Sequence, residues 1–270
     1  MGRPEEAVVG PTRTRAGRLA GLKRMIDVLG SAAGLLALSP VLMFVCALIW
    51  LQDRHSPFYV APRIGRGGRP FRMIKLRSMI IRADLTGVDS TAQDDPRITG
   101  VGRTIRSLKL DELMQLWNVL RGDMSVVGPR PQVERDVRLY TEVERHLLGV
   151  RPGITDFASI VFADEGEILA GAADPDLWYN QVIRPWKSRL GLHYIAHATF
   201  WLDVRLVAAT ALTAISRPLA LRWIATMLVQ TGADAELIVV ARREVPLTPA
   251  PPPGASDIVR SRVPSTAALS

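Results

Sequence analysis

A single cysteine, Cys46, stands in the 270 residues, so no intramolecular disulfide can form. A reducing compartment is compatible with that count. Cys46 lies in an apolar run, where a small hydrophobe is the ordinary reading and a reactive thiol the rare one. Aromatic residues make up only 6% of the chain, and no nucleic-acid motif accompanies its basic residues, which argues against nucleic acid as the partner. The glycine-rich turn Gly65-Arg66-Gly67-Gly68 lacks the spacing and the Lys-Ser/Thr of a Walker loop, which excludes that phosphate cradle. His193 and His197 stand four apart without a third ligand or the glutamate of a zinc-protease helix, so a zinc centre is not expected. No internal repeat is present.

Acidic residues are in short supply: 26 Asp and Glu face 34 Lys and Arg, a net charge of +8. Such an excess favours an anionic partner, whether nucleic acid, anionic lipid or a phosphate-rich substrate. Hydrophobic residues form 48% of the chain, enough for one packed domain with appendages.

Leu29 to Leu51 carries no charge. About 20 apolar residues cross a bilayer, so the run is long enough. Arg13, Arg15, Arg18, Lys23 and Arg24 precede it and predict a cytoplasmic N-terminus. A secretory signal competes with that reading, but no small-x-small cleavage site follows before Gln52-Asp53-Arg54. Ser39-Pro40 falls near the middle. Proline removes a backbone donor and predicts a kink, either in a spanning helix or at the break of a re-entrant one.

Phe58 to Met79 reads as strand, turn, strand, with the glycines supplying the tight turn. Arg63, Arg66, Arg69, Arg72, Lys75 and Arg77 crowd this ribbon next to the apolar run. Helices are predicted near Gly102–Leu108 and over about Leu110–Arg121, where Leu110, Leu113, Trp117 and Leu120 form an apolar stripe. Asp111 and Glu112 then fall in a first turn. Acidic residues are ordinary there. Here, however, Arg103, Arg106 and Lys109 precede the pair, and the stiff Gly128-Pro129-Arg130-Pro131 loop follows. Carboxylates among arginines suit attack on phosphorus, or a divalent cation, with the arginines neutralising a pyrophosphate.

Further on, Trp178 to Trp201 reads as helical, with Trp178, Val182, Trp186, Leu190 and Tyr194 as a packing stripe. An apolar helix ending near Ile215 follows. Arg217 to Gln230 either lies on a membrane surface or packs on the domain.

The ordered fragments resemble the bacterial sugar transferase family, the monotopic polyprenyl-phosphate phosphoglycosyl transferases. They are Lys23-Arg24-Met25-Ile26-Asp27, Ser39-Pro40, Lys75-Leu76-Arg77-Ser78-Met79, Asp95-Pro96-Arg97-Ile98-Thr99, Leu110-Asp111-Glu112-Leu113, Gly128-Pro129-Arg130-Pro131 and Arg151-Pro152-Gly153-Ile154-Thr155. The likeness runs from Lys23 to about Ile215, in what looks like the compact form of the family. It implies an α+β, mostly helical fold in which a re-entrant helix broken at Ser39-Pro40 joins a small cytoplasmic domain with a short β-hairpin. It implies Asp111 as nucleophile and Glu112 as the magnesium position, with Lys75, Arg77, Arg97, Arg106 and Arg130 on phosphate or nucleotide. The implied reaction moves a phosphosugar from a nucleotide-diphosphate sugar, a UDP-sugar, to polyprenyl phosphate, in family terms undecaprenyl phosphate. A covalent aspartyl-phosphosugar intermediate carries it. Exopolysaccharide, O-antigen or glycoconjugate (including lipopolysaccharide) assembly would begin there, at the cytoplasmic face of a bacterial inner membrane. Three departures stand out. Met114 replaces the family's usual proline, Asp156-Phe157-Ala158-Ser159 replaces Gly-Leu-Ala-Gln, and Asp164-Glu165-Gly166-Glu167 is unusually acidic. A reading from another class is a basic membrane-surface adaptor without chemistry, which leaves the carboxylate pair unexplained.

The expected organisation is a loose N-terminus over 1–21, the membrane helix over 22–52, the catalytic domain over 53–215, an apolar and basic extension over 216–245, and a disordered tail over 246–270.

Overall fold

The computed structural model describes residues 13–86, 90–92 and 94–261, with side chains from Gly21 onward apart from that of Thr86. Helix α1 (Arg13–Asp53) begins inside the stretch expected to be loose. It also runs through Ser39-Pro40 without interruption, so the expected break is absent from the helix. The reason is local. Pro40 cannot bond the Leu36 carbonyl, and the Ser39 hydroxyl donates to that same oxygen at 2.7 Å instead.

Strands β1 (Phe58–Ile64) and β2 (Pro70–Leu76) form the expected antiparallel hairpin, from Phe58 opposite Leu76 to Ile64 opposite Pro70. Helix α2 (Gly100–Ser107) starts at Thr99, whose side chain accepts from the Gly102 N–H. The helix expected over Leu110–Arg121 is split. A 3-10 turn, Leu110–Glu112, precedes α3 (Gln115–Arg121), because Lys109 takes a left-handed φ of 56° and the turn closes from Leu113 N–H to Leu110 O. Gly122, at φ 95°, ends α3 in the conformation glycine tolerates best.

Strand β3 (Ser125–Val127) pairs in parallel with β4 (Gly153–Thr155), with the short helix α4 (Glu134–Val137) between them in sequence. Gly128 and Gly153 meet backbone to backbone at the end of this pair, where a side chain on either would strike the other chain. Helix α5 (Phe157–Val161) opens with a reciprocal cap between Asp156 and Ser159, so two of the departing residues start a helix. Short helices α6 (Glu165–Ile168) and α7 (Pro175–Trp178) lead through a π-helical turn into α8 (Arg184–His197). The expected Trp178–Trp201 helix therefore ends at His197, and Thr199 caps the next one, α9 (Phe200–Ile215). Helices α10 (Arg217–Gln230) and α11 (Ala235–Arg242) complete the set.

The main core lies in this C-terminal half: Phe157, Ile160 and Leu190 pack with Leu206, Ile224 and Met227. Helix α10 thus buries its apolar face in the domain, although Leu219 and Val229 stay exposed. A fully buried ion pair, Arg184 with Glu144 at 3.1 Å, ties α8 to the 3-10 turn Glu144–Gly149. Ser188 and Asn180 bond its remaining atoms. Residues 246–261, expected to be disordered, run as an ordered strap. Ala250 N–H donates to Gln181 O at 2.9 Å, Arg189 to Pro251 O at 3.0 Å, and Gln181 to Val259 O at 2.8 Å. Residues 262–270 lie outside the described residues.

Helix α1 is tied to the domain at both ends of its apolar run. Near one end, Arg24 donates to Leu120 O at 2.9 Å, and Asp27 accepts from the Ser125 hydroxyl at 2.7 Å. Near the other, Leu42, Val45 and Ile49 pack on Leu76 and Ile105. Leu29, Leu36, Met43, Phe44 and Leu51 face outward, exposed.

Candidate active site

A cleft of about 580 Å³ opens where the hairpin, the 3-10 turn, the Gly128–Pro131 loop and α6 meet. Asp111, Glu112, Lys75, Arg106 and Arg130 all line it, five of the seven residues predicted from sequence. The 3-10 turn delivers the two carboxylates. Lys75 stands on β2, one residue from the hairpin's end. Arg130 is carried by a loop pinned on both sides: Gly128 N–H donates to Thr155 O, and Gly153 N–H to Pro129 O, each at 3.0 Å.

Glu112 is the hub of this wall. It accepts from Lys75 at 3.4 Å and from Arg130 at 3.2 Å, with a second, shorter bond from Arg130. Burial pushes its carboxyl upward, but the Arg130 and Lys75 charges outweigh burial and hold it far below the usual carboxylate range. The same pairing raises Arg130, while burial lowers Lys75. Asp111 is buried and goes the other way. Desolvation first, and the Glu112 charge second, push its carboxyl up against the pull of Lys75, Arg106 and Arg130.

An acidic stretch also lines the cleft. Phe162, Asp164, Glu165 and Glu167 line it, together with Lys187 and Tyr179. Lys187 ion-pairs with Glu165 and keeps that carboxyl below its ordinary value despite burial. Sequence reasoning flagged this acidic stretch only as a departure and missed Lys187 and Tyr179. Tyr179 sits in the π-helical turn and Lys187 in α8, both within the region of the predicted stripe, where periodicity reports packing and not which side chain reaches a cleft.

Two predicted residues fall elsewhere. Arg77 is buried against Asp53, donating to its carboxylate at 2.7 Å and to Ser56 O at 2.8 Å, and holds that carboxyl down to about 2. It fastens the end of α1 to the hairpin. Arg97 grips Asp95 at 2.9 Å and donates to Ala83 O at 3.1 Å, closing its own loop. Both guanidinium groups are used in holding backbone, and neither lines the cleft. Ser39 and Pro40 lie within α1, apart from it.

Among the described residues no group of three or more His, Cys, Asp or Glu forms a metal cage. His193 instead bonds Thr231 at 2.7 Å. Magnesium, however, is commonly held by one or two carboxylates with substrate phosphates supplying further oxygens. The adjacent Asp111 and Glu112, the latter strongly ionised, fit that donor set.

Comparison with known proteins matches the sequence profile described as bacterial sugar transferase over residues 18–217. Among curated proteins, the chain is 34% identical over 202 residues to the UDP-N-acetylgalactosamine-undecaprenyl-phosphate N-acetylgalactosaminephosphotransferase of Aeromonas hydrophila, covering 72% of this chain and 44% of that protein. It is 40% identical over 197 residues to the undecaprenyl-phosphate glucose phosphotransferase of Komagataeibacter xylinus, covering 70% of this chain and 35% of that one. It is 40% identical over 162 residues to the exopolysaccharide production protein ExoY of Rhizobium meliloti, covering 54% and 72%. The chain therefore spans less than half the length of the first two relatives.

Proposed function

The chain belongs to the bacterial sugar transferase family, and from that premise we propose that it transfers a phosphosugar from a UDP-sugar to polyprenyl phosphate through an Asp111 intermediate. The observation that carries the proposal is the buried Asp111 carboxyl beside Glu112, Lys75 and Arg130 in one cleft. A desolvated carboxylate is a stronger nucleophile than a solvated one, and the cations beside it steer an anionic donor onto it.

The steps balance without an added oxidant or proton source. Asp111 Oδ attacks the β-phosphorus and forms an O–P bond. The bond from that phosphorus to the bridging oxygen breaks, and UMP leaves with the electron pair. An oxygen of polyprenyl phosphate then attacks the same phosphorus. The Asp111–phosphorus bond breaks, and the carboxylate returns with a polyprenyl-diphosphate sugar formed. Arg130 and Lys75 hold charge that moves between phosphates during both displacements. Glu112, with Asp111 beside it, would hold magnesium. The ion would supply further neutralisation of the diphosphate.

The chain would work from one face of the membrane, the cytoplasmic one. The support is that both ends of the apolar run are tied to the same domain. Asp27 to Asp53 spans about 39 Å at 1.5 Å per residue, more than the hydrocarbon thickness of about 30 Å. Fastening both ends of that run to one domain supports placing them on the same side of the bilayer.

The test is release of UMP from a panel of UDP-sugars by purified protein with magnesium. Release that requires polyprenyl phosphate for turnover and vanishes in Asp111→Asn supports the proposal. A folded protein that releases UMP from none of the donors returns the chain to a surface adaptor.

A further inference from the structure

Resting on that donor-binding role, we infer that Arg243, with Arg217, is a positioning residue. Through Asp164 the two hold residues 162–167 as the cleft wall that receives the hydroxyl groups of the donor.

The geometry has two parts. First, the cleft is lined by charges of both signs, the cations Lys75, Arg106 and Arg130 and the carboxylates of Glu165 and Glu167. A sugar nucleotide is mixed as well, with an anionic diphosphate between hydroxyl-rich, uncharged ends. Like charge keeps the diphosphate off the carboxylate wall. Hydroxyls donate to carboxylates, and an ionised carboxylate has about four acceptor sites, so the Glu165 carboxylate can accept more than its Lys187 partner.

Second, this wall is clamped from the far end of the chain. Asp164 is largely buried between two arginines. Arg217 lies 2.8 Å from Oδ1 and Arg243 2.9 Å from Oδ2. The Arg243 guanidinium also lies over the Phe162 ring at 5.7 Å, and Arg217 donates to Val161 O at 3.3 Å. Arg217 is the last residue matched by the family profile, and Arg243 lies beyond it at the end of α11. The acidic stretch where the sequence leaves the family pattern is thus held from both sides of the family match's end, by Arg217 inside it and Arg243 outside it. Neither arginine lines the cleft, so both act through Asp164.

Arg243→Met keeps the aliphatic stem against Phe162 and removes the charge, while Arg243→Lys restores a cation. Steady-state kinetics of the full chain in detergent should show donor KM raised about tenfold in Arg243→Met, with kcat within about threefold of wild type. Arg243→Lys should recover most of the loss, and Asp164→Asn should reproduce it. Inhibition by UMP identifies the hydroxyls. It stays unchanged if they belong to the sugar and weakens in step if they belong to the ribose. An unchanged donor KM overturns the inference. So does a fall in kcat that follows a lowered thermal midpoint and is not rescued by lysine. Wild-type turnover on the same panel is the control that separates this failure from failure of the transferase assignment itself.

Discussion

Asp111 and Glu112 are sequence neighbours with the same chemistry, yet their surroundings drive their carboxyls apart. Glu112 is held ionised by two cations, and Asp111 is pushed toward its neutral form. A carboxyl raised by folding favours the native state below its unfolded pKa, and that advantage is lost as pH rises through the folded value. Asp111 is therefore a stability liability at neutral pH. Asp111→Asn is expected to abolish transfer while leaving the thermal midpoint equal or higher, with the gain larger at pH 8 than at pH 4.5. Differential scanning fluorimetry in detergent reads it, and a lower midpoint at pH 8 would contradict the burial argument. Arg130 is the other decisive residue. Its two bonds to Glu112 use the planar guanidinium fork, which lysine lacks. Arg130→Lys is expected to lower kcat/KM by about 10- to 100-fold, equivalent to about 1.5–3 kcal/mol for a charged hydrogen bond. Retention of full activity would remove Arg130 from the phosphate wall.

At the scale of elements, α1 carries the topological claim. Leu22→Cys and His55→Cys, each in a Cys46→Ser background, place a thiol at either end of the apolar run. Both are expected to react with a membrane-impermeant reagent from the cytoplasmic side alone. Labelling of one position from each side would make α1 a plain span. The buried Arg184–Glu144 pair makes a second prediction at this scale. Removing one partner strands a charge in the core, so Arg184→Met should cost about 3–5 kcal/mol in denaturant unfolding. The hairpin, α2 and α9 were legible in the sequence because each announces itself by glycine, cap or periodicity. Lys75, Arg130 and the two carboxylates lie in the ordered motifs, and Arg106 stood out only as a cation preceding the carboxylate pair. The Arg184–Glu144 pair was not, because partners 40 residues apart leave no local pattern. The three-residue strands β3 and β4 are too short to show a period. Composition misread the strap for a related reason. Proline-rich chain cannot make helix, but extended chain still packs and donates hydrogen bonds, as Ala250 does to Gln181. Arg77 and Arg97 were assigned to substrate by motif; in the structure their charges are matched by Asp53, distant in sequence from Arg77, and by Asp95, within Arg97's own motif.

Across the whole molecule, an outward apolar face on α1 sits beside a net charge of +8 and a cleft lined in part by Lys75, Arg106 and Arg130. The arrangement suits a soluble anionic donor and a lipid-bound anionic acceptor meeting at a membrane surface. In the proposed reaction, two displacements at one aspartate would let each substrate occupy the same cationic site in turn. The C-terminal helices belong to this body: Ile224, Met227 and Leu228 are buried with Leu206, so truncation after Ile215 opens the core. The most direct test of the account is the intact mass of detergent-purified protein incubated with magnesium and UDP-sugars, without lipid acceptor. The account predicts a gain of one phosphosugar in the wild type with its cognate donor, absent in Asp111→Asn and discharged on adding polyprenyl phosphate. An adduct that persists in Asp111→Asn, or lipid-dependent UMP release with no adduct at any time, would contradict it.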